Sequence, residues 1–119
     1  MRGRTTLMNA MQAVVVMLTN LLVAGDHETA AAMTRGRRLS AADLERAVSE
    51  YGRTLVRVPS EALEDFEIYQ VQDAEPPTFE LVVDLWTHEE GRSDLTLELT
   101  LVDRFDGAYD VSIQNLHVL

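Results

Sequence analysis

The residues with the clearest chemical potential are carboxylates. Asp84 and Glu98 lie in two stretches that alternate polar and apolar residues, separated by the polar run His88-Glu89-Glu90-Gly91-Arg92-Ser93-Asp94. Pairing His88 with Asp94 predicts an antiparallel register that sets Asp84 opposite Glu98. Like charges directly opposite each other are unfavourable, and a shared proton, a metal or a partner's arginine relieves them. Paired carboxylates are also what acid–base enzymes use. A register shift of two residues removes the coincidence, however, and a solvated acidic face tolerates it. No catalytic residue is assigned.

Trp86, the only tryptophan, shares the parity of Glu80, Val82, Asp84 and Glu98. With Tyr69, Val71, Val82 and Val102 it predicts an outward patch of aromatic, aliphatic and acidic character. Exposed aromatics ringed by charge fit a protein interface. The partner-binding residues expected from this pattern are Trp86, Glu80, Asp84, Glu98 and Tyr69. Homodimerisation through the sheet competes with that reading, as does simple covering of Trp86 by segment 53–65.

The remaining candidates carry less. His27, His88 and His117 are scattered, and none has a second histidine or a carboxylate cluster at metal-ligand spacing. His88 with Glu89 and Glu90 has the donors for a cation, but the pattern is also that of a solvated turn. The basic run Thr34-Arg35-Gly36-Arg37-Arg38 has the charge to grip a phosphate or an acidic partner, and equally reads as a solvated linker. There is no glycine-rich phosphate loop, no H-E-x-x-H and no G-x-S-x-G. With no cysteine, thiolate chemistry and disulfides are excluded. Neither a metal nor a cofactor is expected.

These residues need elements to hold them. Phe79, Leu81, Val83 and Leu85, then Leu95, Leu97, Leu99 and Leu101, recur with period two, the signature of strands with one buried face. They predict an antiparallel hairpin over 78–102. Asp106-Gly107 predicts the next turn, leading into a last strand from Tyr109. There Val111 and Ile113 have one parity, while Leu116 and Val118 have the other. A β-bulge near Gln114 or Asn115 brings both pairs to the core. Upstream, 54–58 and 66–71 read as shorter strands around a helical turn capped by Ser60, and Asp73-Ala74-Glu75-Pro76-Pro77 is a break.

The first half has period 3.6. A helix from a Thr5 or Thr6 cap to Ala24 presents Leu7, Met11, Val14, Leu18 and Leu21, widened by Met8, Val15 and Leu22. Met8, Met11 and Met17 read as gap-filling core. Asp26 caps a short alanine-rich helix to Met33. Ser40 and Asp43 form a capping box, Leu39 and Leu44 a hydrophobic staple, and Gly52 closes the third helix. The expectation is a single α+β domain over 1–119, with helical part 5–52 and sheet part 54–119. Its N-terminal helices pack on one face of a curved antiparallel sheet of about four strands.

Charge divides along the same line. Residues 1–59 hold eight arginines against five acids, a balance of +3; residues 60–119 hold two arginines against fifteen acids, a balance of −13. Such charge favours solubility, and it also presents a negative field to a basic partner. The sign disfavours nucleic acid at the sheet. Met1-Arg2-Gly3-Arg4 before apolar residues superficially resembles a secretion signal. Asn9, Gln12, Thr19 and Asn20 interrupt that run, which is too short to span a bilayer. The default expectation is a cytoplasmic protein that does not enter the membrane.

A long first helix, the step Leu22-Val23-Ala24-Gly25-Asp26 into a short helix, a third helix and closing strands 95–102 and 109–119 together resemble the nuclear transport factor 2-like superfamily. That superfamily includes SnoaL-like domains, and cystatin-like domains are a near neighbour. The acidic single-domain build without a catalytic signature is similar to small immunity proteins of bacterial toxin systems. The latter resemblance implies an inhibitor that neutralises a basic partner such as a toxin, with no enzymatic activity of its own. The former implies, as the alternative, a small-molecule binder or enzyme with a cavity between helices and sheet.

Overall fold

A computed structural model describes residues 2–35 and 38–118, with side chains described from Ala10 onward. Three helices precede the sheet: α1 (Arg2–Ala24), α2 (His27–Met33) and α3 (Ala41–Tyr51). Helix α1 is already helical at Arg2, so neither Thr5 nor Thr6 is its cap. Its buried row is Met11, Val15, Leu18 and Leu22, with Val14 and Leu21 on the flank. Thr19 joins that row because its hydroxyl donates 2.7 Å back to the Val15 carbonyl, which satisfies the buried polar group. Met11 is core as expected; Met17 is 53% exposed and is not. Leu7 and Met8 lie among the side chains outside the described set.

The caps of α2 and α3 are where the sequence places them. Asp26 accepts from the Thr29 backbone at 3.1 Å and from its hydroxyl at 2.8 Å. Ala30 and Ala31 are buried, so the small side chains let α2 approach its neighbours closely. Ser40 and Asp43 exchange both bonds of the capping box, and Gly52 ends α3 in the left-handed region at φ 72°. Arg35 and Arg38 of the basic run both have positive φ; Gly36 and Arg37 lie outside the described residues.

Five strands follow: β1 (Leu55–Val56), β2 (Glu67–Gln70), β3 (Thr78–Thr87), β4 (Gly91–Asp103) and β5 (Tyr109–Val118). All pairings are antiparallel, in the order β1-β3-β4-β5, with β2 also on β3 beside β1. A 3₁₀ turn over Ala62–Glu64 lies between β1 and β2; no side chain caps it, so the expected Ser60 cap is not made. The domain is α+β, and the helices pack on one face of the sheet. There α1 and Leu44 of α3 meet Leu81, Val83, Leu97, Leu99, Leu101 and Ile113 in one aliphatic core.

The register corrects one expectation. Asp84 pairs with Thr96, and Glu98 pairs with Val82, so the two acids are not opposite each other. The turn is shorter than 88–94: Gly91, at φ 75°, closes it and already belongs to β4. The register then shifts by two between Asp84 and Trp86, where Leu85 alone spans Ser93, Asp94 and Leu95. Ser93 fills that bulge. Its hydroxyl donates to the Leu85 carbonyl at 2.8 Å and accepts from the Leu95 N–H at 3.1 Å. A second bulge, at Gln114 in β5, matches expectation and carries Val111, Ile113 and Leu116 all into the core. Val118 is the exception, 56% exposed at the end of its strand.

Ser93→Ala is expected to leave a buried carbonyl and a buried N–H unpaired, at a cost of about 1–3 kcal/mol. Urea unfolding of wild type and variant measures it; an unchanged midpoint refutes this role for the hydroxyl.

Candidate functional site

The face of the sheet turned away from the helices is set by the pleat. In β3 it carries Glu80, Val82, Asp84 and Trp86, and in β4 Arg92, Thr96, Glu98, Thr100 and Val102. Glu67 and Tyr69 extend it along β2, and Asp110, Ser112 and His117 along β5. All five residues expected to bind a partner therefore share this face. Tyr69 and Glu80 are cross-strand partners and both exposed. Trp86 is half-buried at one end of the row.

Some of the charge on this face is internally matched. The two-residue shift sets Arg92 opposite Trp86, with its guanidinium 5.8 Å from the ring centroid, a cation–π arrangement. The same guanidinium lies 3.9 Å from Asp84, whose other oxygen accepts from the Thr96 hydroxyl at 3.3 Å. Thr96 is only 2% exposed although it faces outward. His117 Nε2 and Glu98 Oε2 are 2.7 Å apart. The Tyr69 hydroxyl donates 3.0 Å to Glu67, and that carboxylate holds the phenol pKa above its usual value, so it stays a donor. Glu80 has no ion-pair partner among the described residues.

The sequence reading missed Arg92 and His117 as members of this face; Thr96 is outward by its parity but was not singled out. Arg92 falls in the polar run expected as a loop, and only the tighter turn ending at Gly91 returns it to the strand. Thr96 has no chemical signature of its own. His117 has the correct parity only once the Gln114 bulge is counted.

A cleft of about 220 Å³ opens at the edge of this face. Strand β1 pairs only with Trp86 and Thr87, and β2 only with Phe79 to Val82. Residues 57–66 leave the sheet between them. Val58, Leu63 and Phe66 line one wall, and Val82 and Trp86 the other. By contrast, the space between α1 and the sheet is occupied by Met11, Val15, Leu18, Leu97 and Leu99, all at most 2% exposed.

Residues 19–119 match the model of a family described as a domain of unknown function, DUF7668. The chain belongs to that family. No curated protein and no solved structure matches it. The DUF7668 match begins inside α1 and takes in every strand of the outer face.

At the hairpin end of the DUF7668 domain, the acids have structural partners. Glu89 accepts from the Thr54 N–H at 2.8 Å and its hydroxyl at 2.9 Å. Glu90 accepts from the Tyr51 hydroxyl at 2.7 Å and from Thr87 at 3.1 Å, while the Asp94 N–H donates to the Tyr51 oxygen at 3.2 Å. This ties the end of α3 to the β3–β4 turn. Burial first, and the Glu90 carboxylate second, push the Tyr51 phenol pKa up, keeping it a donor. His88 is exposed, and no group of three metal-ligating side chains occurs among the described residues.

Three of the carboxyls that hold backbone in place titrate low. The Thr54 N–H holds Glu89 below its ordinary 4.5, and the caps hold Asp26 and Asp43 below 3.8. With folded values below unfolded ones, their stabilisation is present above the ordinary carboxylate range and is lost as pH falls through the folded values. The thermal midpoint is expected to hold steady above about pH 5 and to fall on further acidification. Glu89→Gln is expected to lower the midpoint at neutral pH and to shrink the acid-dependent fall. Melting curves across pH 3–7 test this, and parallel profiles for wild type and variant contradict it.

Proposed function

We propose that the outer sheet face of this DUF7668 domain docks a basic protein, and that the protein is a cytoplasmic immunity-type inhibitor of a cationic toxin such as a nuclease. The observation that carries the reading is the composition of one face left clear of the helices. Glu67, Glu80, Asp84, Glu98 and Asp110 share it with the half-buried Trp86, and only Arg92 and His117 are basic. Acids so arrayed mimic the charge of a phosphate backbone to a nuclease. They steer a cationic partner inward, while an aromatic anchor at the rim supplies the desolvated contact. The aliphatic packing of α1 against the sheet supports a binding protein over an enzyme with a ligand cavity at that place. The helix order and antiparallel sheet support a kinship in architecture with the nuclear transport factor 2-like superfamily, without transferring a mechanism.

Affinity capture from the native host tests this. Wild type, Trp86→Ala and the double variant Glu80→Gln/Glu98→Gln serve as baits, each washed at low and at high salt. A basic protein held by wild type at low salt, shed at high salt and lost by both variants is the expected result. Circular dichroism of the variants establishes that they are folded. Recovery of the protein alone, with light scattering at twice the monomer mass, overturns the reading in favour of a homodimer through the sheet.

A further inference from the structure

The edge cleft has a chemistry more specific than the face around it. Its walls are apolar, from Val58, Leu63, Phe66 and Val82, and its rim carries Asp65, Glu67 and Asp84 against the single cation Arg92. At about 220 Å³ it is smaller than the roughly 300–1,000 Å³ of sites that enclose drug-sized ligands. It suits one long side chain with an aliphatic stem and a charged head, the shape of lysine or arginine. Trp86 forms part of the wall, and a guanidinium, Arg92, already lies over its ring. Planar guanidinium groups stack on aromatic rings and pair with carboxylates in a way that a compact ammonium does not.

We infer that this cleft receives an arginine side chain of the basic partner, which takes the place of Arg92 over Trp86 and beside Asp84. The inference rests on the docking role proposed for the outer face. Arg92 is suited to be displaced. Its side chain is 52% exposed, and its closest carboxylate among the described residues is 3.9 Å away. Such an exposed pair contributes little, so exchange for an incoming arginine whose stem is buried against Val58, Leu63 and Phe66 gains apolar contact at small electrostatic cost. In the free protein Arg92 thereby keeps the ring and Asp84 matched until a partner arrives.

Trp86 is the only tryptophan, so its fluorescence reports on the cleft directly. The full chain is titrated with hexa-arginine, hexa-lysine and hexa-citrulline peptides at low salt, by fluorescence and by calorimetry. Hexa-arginine is expected to bind and to change the Trp86 emission, hexa-lysine to bind more weakly, and hexa-citrulline not to bind. Asp65→Asn and Ala62→Met, which respectively neutralise and fill the cleft, are expected to weaken hexa-arginine binding. Arg92→Gln is expected to tighten it about three-fold, from loss of the competing cation. This last substitution is at an exposed position, so it keeps the test decisive if a cleft variant fails to fold.

The cleft and the face fail differently. If Glu80→Gln/Glu98→Gln weakens peptide binding while Asp65→Asn and Arg92→Gln leave it unchanged, the face binds cations and the cleft inference is overturned. Equal affinity for arginine and lysine peptides with unchanged Trp86 emission also overturns it. If no peptide binds, the cleft inference falls, and the capture experiment alone judges the face.

Discussion

The leucine row of β4 is the constraint on which the other elements depend. Leu95, Leu97, Leu99 and Leu101 are at most 2% exposed, on a strand paired along both edges. Because side chains alternate strictly, a slip of one residue would turn all four into water. At roughly 1.5–3 kcal/mol for each buried leucine, that fixes the face of β4 before any polar contact is considered. Helix α1 lays Met11, Val15, Leu18 and Leu22 against the common core. The outer face is then whatever remains, and its acids are outward because the leucines are inward.

Both irregularities in the sheet reconcile neighbours with that fixed row. On one side, the tight turn at Gly91 and the long β4 leave two residues too many, and Ser93 absorbs them by bonding backbone groups that the ladder leaves unpaired. On the other, one extra residue at Gln114 allows Ile113 and Leu116 to point the same way. The first device has a chemical consequence. By moving Arg92 opposite Trp86 and Thr96 opposite Asp84, it turns a like-charge collision into a set of matched groups.

The legible parts of the chain were those governed by local rules. The capping box of Ser40 and Asp43, the Asp26 cap, the αL glycine at 52 and the alternating strands all involve residues within a few positions of one another, and all hold. The Gln114 bulge was legible because apolar parity switches within one strand. The Asp84–Thr96 register was not, because turn length and bulge size trade off against each other without changing parity. Long-range anchoring was equally hidden. Nothing local marks Glu89 as a partner of Thr54, or Glu90 of Tyr51, since the polar run reads the same whether solvated or bonded. Of the candidate site, the five residues expected on the outer face were legible, while Arg92, His117 and the pairings they make were not.

The position of β5 has a consequence for how the sheet ends. It is the outermost strand, ten residues long, with Asp110 its only acid and no proline. A straight strand of that composition is a template on which another chain can add. The Gln114 bulge divides it into two shorter runs with different registers, 109–113 and 115–118. An incoming strand in register with one run is out of register with the other. The same extra residue that completes the core thus makes this edge a poorer template for strand addition.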